Sequence, residues 1–370
     1  MRLTLLAVLL PATIVIGSQL RCPASRRIKP CTCETVNAST GLVLVSCSNI
    51  RSWALVKHAL RPFRRRKVYQ IARLTIERIA NRTSDTRTLQ RMFRWLTIGE
   101  LIIRNAPFGA ATKIPRSIFK NTTVFALTID GCGIKEIPAN AFTDVQHLQE
   151  LLLPNNEINH ISHKFASAEN GLLKIDLSRN NLSSIPQELL RKSSRLEALY
   201  LRGNRIVTVD EDDLSNCKSL LILDLSINFI EHIHPDAFSG LSRLDFLSLA
   251  FNPLDEGDSE PLRKLTNNCQ LKTVDVSGTR VQLKNLISAK LTTLVAQQHD
   301  AINQTEICCL AGATKLTHLD LVGSQLNITT IRNCGATFPS VKQLDISRTE
   351  TNITVIRHFP NVEKIYAYRM

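Results

Sequence analysis

The chain has 370 residues, ten cysteines and a formal net charge of +14, with 46 Lys and Arg set against 32 Asp and Glu. That length ordinarily divides into two or three domains. Beyond the first residues no stretch reaches the ~18 apolar residues of a membrane-crossing helix, and the cysteine content points to an oxidising compartment.

In chain order, Arg2, an apolar run from Leu3 to Ile16 and small residues at Gly17 and Ser18 form the pattern of a secretory signal over residues 1–18. A cysteine-rich cap and basic connection follow over residues 19–70, with Cys22, Cys31, Cys33 and Cys47 crowded together. In a secreted chain such a cluster favours disulfides over zinc. Between Arg51 and Arg104 fourteen Lys or Arg face only three acids, so positive charge gathers at one end. Its densest part is Arg61, Arg64, Arg65, Arg66 and Lys67. With a secretory signal the expected partners there are acidic glycans or anionic membrane surfaces, not nucleic acid. A solvated basic loop and a dibasic cleavage site are the alternatives.

Residues 71–370 carry internal repeats. Five consecutive copies of a 24-residue pattern, L-x-x-L-x-L-x-x-N-x-I/L, begin at Leu148, Leu172, Leu196, Leu220 and Leu244. Looser copies start near Ile71, Ile98, Val124, Leu271, Leu291, Leu316, Val341 and Val362, which makes about thirteen turns. One turn alone cannot form a core, but stacked turns cover one another's apolar faces. The expected fold is therefore α/β, a curved horseshoe solenoid in one elongated domain, with a parallel concave sheet and a stapled N-terminal cap. Asn156, Asn180, Asn204, Asn228 and Asn252 share one register, where a buried amide can satisfy backbone groups of adjacent turns. Cys132, Thr279, His299, Ser324 and Thr349 stand in that register elsewhere. Phe142, Phe165 and Phe238 are expected in a convex-side aromatic stack.

Cys308 and Cys309 are adjacent, within reach of pairing with Cys334 in the next turn, while Cys132, Cys217 and Cys269 read as buried thiols. N-x-S/T sequons occur at Asn37, Asn81, Asn121, Asn181, Asn303, Asn327 and Asn352, none on an expected strand, so the concave face is expected to stay clear of glycans. His160 with His163, and His232 with His234, each offer two ligands where zinc needs three or four, and no metal site is expected. Asp210, His234 and Asp258 are 24 residues apart, which allows a carboxylate–imidazole–carboxylate column; solvated acidic surface is the simpler reading.

No G-x-S-x-G, H-E-x-x-H or phosphate-binding glycine loop occurs, so there is no positive case for an enzyme, and no cofactor is expected. Side chains on the concave face are free of core duties. By register that face carries Tyr200, Arg202, Ile222, Asp224, Ile227, Phe246 and Phe251, with Arg179 on the flank. Tyr, Phe and Arg favour interface hot spots, and apolar residues gathered on adjacent strands mark a partner site. Asp176, Asp224, Asp275, Asp320 and Asp345 share one column, whose mutual repulsion would favour a basic partner or a cation. The last repeat, from Val362, stops at its asparagine position with no cysteine-rich cap, and the expectation is a truncated reading frame.

On these repeats the chain resembles the extracellular leucine-rich-repeat proteins of animals. Its cap residues, Cys22-Pro23, Ile28-Lys29-Pro30-Cys31-Thr32-Cys33 and Val45-Ser46-Cys47-Ser48-Asn49, resemble arthropod secreted proteins that include the non-catalytic subunit of a crustacean luciferin monooxygenase. The resemblance implies pairing of Cys22 with Cys33 and of Cys31 with Cys47. It also implies a non-enzymatic, secreted binding protein: either an adhesion module or receptor ectodomain for a protein or glycan ligand, or an accessory subunit holding a separate secreted enzyme. Membrane attachment is expected only if the chain is part of a longer protein.

Overall fold

A computed structural model describes residues 22–64, 70–80, 86–109, 112–115, 117–162, 171–268, 270–299, 302, 304–324, 335–349 and 353–368. The secretory-signal residues, Phe165, His163, Cys269, Cys334, Asn81, Asn303, Asn327 and Asn352 lie outside them. The chain divides into two compact units, Met1–Asn181 and Leu182–Met370.

The first unit opens with a hairpin, β1 (Thr32–Asn37) antiparallel to β2 (Leu42–Ile50). Two disulfides, Cys22–Cys33 and Cys31–Cys47, tie it down in the pairing that the resemblance implies. Asn37 closes β1, so this sequon does lie at the end of a strand, where its Oδ1 accepts the Ser39 and Thr40 N–H groups. The parallel sheet already includes β2, which pairs with β3 (Gln70–Ile79); β4 (Thr97–Arg104) and β5 (Thr122–Asp130) follow, then the three-residue strands Glu150–Leu152 and Lys174–Asp176. The second unit repeats the short form at Ala198–Tyr200, Ile222–Asp224, Phe246–Ser248, Thr273–Asp275, Thr293–Val295, His318–Asp320, Gln343–Asp345 and Lys364–Tyr366. Each is a parallel strand whose middle residue points into the core and whose neighbours point to the open face, as the two-residue side-chain period requires. Leu199, Leu223, Leu247, Val274, Leu294 and Leu344 are fully buried. Each such leucine contributes roughly 1.5–3 kcal/mol on burial.

The asparagines bridge turns as their register predicts. Asn228 Oδ1 accepts the Ile206 N–H at 3.2 Å, and its Nδ2 donates to the carbonyls of Leu201 (3.0 Å) and Leu225 (2.9 Å). Asn252 repeats this with the Ile230 N–H, Leu225 O and Leu249 O, and in the first unit Asn156 and Asn180 do the same. The substitutes fill the register only in part. Thr279 and Thr349 donate to a carbonyl of their own turn, Val276 O and Ile346 O, both at 2.7 Å. Ser324 reaches back to Ala296 O and accepts the His299 N–H. Buried His299 bonds Val281 O at 3.0 Å, and burial pushes the Cys132 thiol up to about 12.

Turn length varies with the return segment. Leu247 pairs with Val274, 27 residues on, past a ten-residue helix Ser259–Asn268; Val274 pairs with Leu294, 20 residues on, past the short 3-10 turn Leu283–Leu286. Phenylalanines stack along the first unit from Phe93 to Phe119 (5.7 Å between centroids) to Phe142 (6.0 Å). Phe238 is buried in the second. Cys217 and Cys309 are free, whereas Cys308 is disulfide-bonded.

Glu306 is buried in the second unit, where its Oε2 accepts the Lys284 N–H at 3.1 Å. Desolvation outweighs that bond and raises its pKa above the ordinary 4.5. A raised acid supports the fold while protonated, and this contribution is lost as pH rises through the folded pKa. Glu306→Gln keeps an accepting oxygen, so urea midpoints should match wild type at about pH 4 and exceed it at about pH 7. Equal midpoints at both pH values would contradict the assignment.

Candidate protein-binding surface

The second unit brings Tyr200, Arg202, Ile222, Asp224, Ile227, Phe246 and Phe251 onto its open face. Strand register sets Tyr200 beside Asp224, and Ile222 beside Phe246. Arg179 belongs to the first unit, so this patch is built without it. Arg202 Nη1 donates to Ser226 Oγ at 2.7 Å, which holds the guanidinium flat along the face.

Backbone geometry distinguishes two of these residues. In each turn the residue before the register asparagine adopts a left-handed conformation and donates its N–H to the next turn, as Gly203 does to Ser226 O and Gly278 to Gln297 O. Glycine fits there without strain, because an L side chain brings Cβ against the backbone, and the polar residues Asn155, Arg179, Gln298 and Arg348 also occupy the position. Ile227 (φ 53°) and Phe251 (φ 56°) occupy this position in two consecutive turns. Both are exposed, at 42% and 43%, and Phe229 beside them reaches 58%. A left-handed β-branched residue is a genuine outlier. Phe251 lies over the backbone of Gly278, where an added Cβ would meet its ring at 2.7 Å. Its ring therefore rests on a glycine platform and keeps its outer face open.

The aspartate column has a local explanation that replaces the expected repulsion. Asp224 Oδ1 accepts the Ser226 N–H (3.0 Å) and hydroxyl (2.6 Å); Asp275 does the same for Ser277, and Asp176, Asp320 and Asp345 each accept the N–H two residues on. These carboxylates end the strands by Asx-type turns. Asp320 and Asp345 are neighbours in register, yet each is engaged within its own turn, and Asp320 also accepts from Gln297 Nε2 at 2.7 Å.

The Asp210–His234–Asp258 column does not form. The 3-10 turn Glu256–Asp258 carries Asp258 into the core, where it accepts the Ile233 N–H and lies 3.1 Å from His232 Nδ1. His234 Nδ1 accepts the Asp236 N–H instead. The carboxylate that turns inward near Asp210 is Asp213, which accepts the Asp210 N–H and Gln187 Nε2; burial raises its pKa. Among the described residues no three His, Cys, Asp or Glu converge as metal ligands.

At the basic end Arg61 is exposed, whereas Arg64 turns inward and donates to Met92 O, with its pKa lowered by burial and by Arg61. Arg64 is thus held by the fold through its bond to Met92 O. Arg65, Arg66 and Lys67 lie outside the described residues. On the open face of the first unit the charges are mutually paired, Arg73 with Glu100 at 2.6 Å and Arg104 between Glu77 and Asp130.

The leucine rich repeat family signature matches residues 123–182, 148–206, 170–228 and 194–254. Residues 123–254 are leucine-rich repeats. No curated protein matches it in sequence. Among solved structures it resembles the TLR13–ssRNA13 complex, at 16% identity over 87% of this chain and 50% of that one, with a TM-score of 0.61. The Drosophila Toll–Spatzle complex is similar at 17% identity over 89% of this chain and 43% of that one (TM-score 0.60), and a leucine-rich-repeat protein of Leptospira interrogans at 18% over 84% and 91% (TM-score 0.51). The chain spans half or less of the length of the TLR13 and Toll chains. At these identities the likeness is one of fold.

Proposed function

We propose that this leucine-rich-repeat chain is a non-enzymatic extracellular binding protein that recognises a protein ligand through the open face of its second unit. The observation that carries the reading is the pair Ile227 and Phe251: exposed apolar side chains kept in left-handed backbone positions that the other described turns give to glycine or to a polar residue, Asn155, Arg179, Gln298 and Arg348. Strain retained at an exposed position marks a functional position. Tyr200, Ile222 and Phe246 extend the patch with residues suited to a desolvated hot spot, and Arg202 and Asp224 supply polar contacts. Three disulfide-bonded segments, at Cys22, Cys31 and Cys308, support an oxidising compartment.

Toll in complex with Spatzle and TLR13 in complex with ssRNA have the same fold, so a protein ligand fits the architecture, and the fold gives no ground for excluding nucleic acid. The patch favours protein, because its centre is apolar and its column of carboxylates repels phosphate. The test is capture of proteins from the extracellular medium of the source tissue by the wild-type chain and by Phe251→Asp. A band retained by wild type and lost with Phe251→Asp supports the reading; identical capture by both, with both folded, overturns it.

A further inference from the structure

We infer that the turn at Arg91–Trp95, backed by Arg61, forms a site for sulfated glycan chains on the first unit. Segments 51–64 and 86–95 contain seven arginines and lysines and no acid. They lie against each other: Lys57 Nζ donates to Thr88 O at 2.7 Å and Gln90 O at 3.2 Å, and Arg64 donates to Met92 O. Asp85, next to the second segment, lies outside the described residues, and Glu77 and Glu100 sit on strands and are paired with Arg104 and Arg73. Nothing of opposite sign offsets the cations among the described residues of these segments.

Trp95 is the second observation. Its indole is 49% exposed at φ 67°, a left-handed position for a bulky side chain, and the Arg94 guanidinium stacks 4.7 Å from the ring centroid. Arg94 Nε is buried without a hydrogen-bond partner, as is Arg64 Nε. A flat aromatic face flanked by a guanidinium, beside exposed Arg91 and Arg61, suits a pyranose ring that carries sulfates. Burial and the charges of Arg64 and Arg61 lower the Lys57 pKa, a sign of positive potential that an anion would relieve. A single indole does not supply the successive stacking platforms that single-stranded nucleic acid uses, which favours the glycan.

This inference rests on the extracellular reading but not on the open-face patch, so the two fail separately. The purified full chain is treated with an N-glycosidase, because Asn121 accepts the Trp95 N–H across the turn and a sugar on that sequon would cover the ring. Binding to heparin is then measured against salt for wild type, Arg91→Ser/Arg94→Ser, Trp95→Ala and a charge-matched control, Lys218→Ser/Arg243→Ser, with thermal melts confirming folding. The expected result is a slope of log Kd against log salt shallower by about two for the arginine pair. Trp95→Ala should weaken binding about tenfold at unchanged slope, and the control should stay near wild type. Equal losses in the control and the arginine pair would reduce the effect to net charge and overturn the site. Binding of a single-stranded RNA oligomer at the same residues, with no binding of heparin, would overturn the glycan assignment.

Discussion

Asn228→Ala is expected to lower the unfolding free energy by about 2–4 kcal/mol, a large fraction of the stability of an ordinary domain. The side chain accepts the Ile206 N–H and donates to the Leu201 and Leu225 carbonyls, all buried. Alanine removes these partners in one step, and a water entering the vacated space would restore only part of the bonding. Each orphaned group costs roughly 1–3 kcal/mol, less whatever the turn recovers by relaxing. The protein contains its own calibration: threonine at the equivalent position, Thr279, keeps only the bond to its own turn. Asn228→Thr should therefore lose less than Asn228→Ala. Urea unfolding of both variants beside Asn216→Ala, an exposed asparagine on a return segment, gives the measurement. Loss of stability no greater for Asn228→Ala than for Asn216→Ala would remove the asparagine column from its structural role.

That column shows why so much of the fold was legible from sequence. A leucine at a fixed spacing names a buried strand centre, and an asparagine eight residues after the first leucine names a bridge, because each is set by geometry that recurs in every turn. The placing of Tyr200, Ile222 and Phe246 on neighbouring strands was legible for the same reason, since it follows from strand register alone. What escaped was set by local hydrogen bonding or by irregular turns. The aspartates looked like a repelling column because spacing shows only which residues align, whereas each one answers to an N–H two residues ahead in its own turn. Asp258 left its column because the 3-10 turn at Glu256 carries it inward, beside His232. Arg64 reads as one of a basic run, yet its burial depends on Met92, 28 residues away. Phe93 and Phe119 were missed from the aromatic stack because the early turns are longer than 24 residues: Ile71 pairs with Ile98, and Ile98 with Val124. One clue was available and unused: this register holds Gly203, Gly278 and Gly323 and the polar Asn155, Arg179, Gln298 and Arg348, and Ile227 and Phe251 are its apolar exceptions.

Those exceptions give the most discriminating prediction. Ile227→Gly should leave the fold at least as stable as wild type, with a gain of up to about 1 kcal/mol, because glycine adopts the left-handed conformation without the Cβ clash. The hydrogen bond from its N–H to Ala250 O involves backbone only and survives the change. Binding should move the opposite way. In Ile227→Gly/Phe251→Gly both apolar anchors are gone, and loss of two central hot-spot side chains costs at least about 2 kcal/mol, roughly thirtyfold in Kd, for the captured protein ligand. A residue that serves the core loses stability and binding together when it is truncated, whereas a residue held in strain for recognition separates them. Thermal melts and titration against the captured protein, made on the same preparations, read both signs. If the double variant binds as tightly as wild type, Ile227 and Phe251 are strained for some other reason and the ligand docks elsewhere. If Ile227→Gly melts several degrees lower, the isoleucine is packing against neighbours that its exposure does not reveal, and the strain argument falls with it.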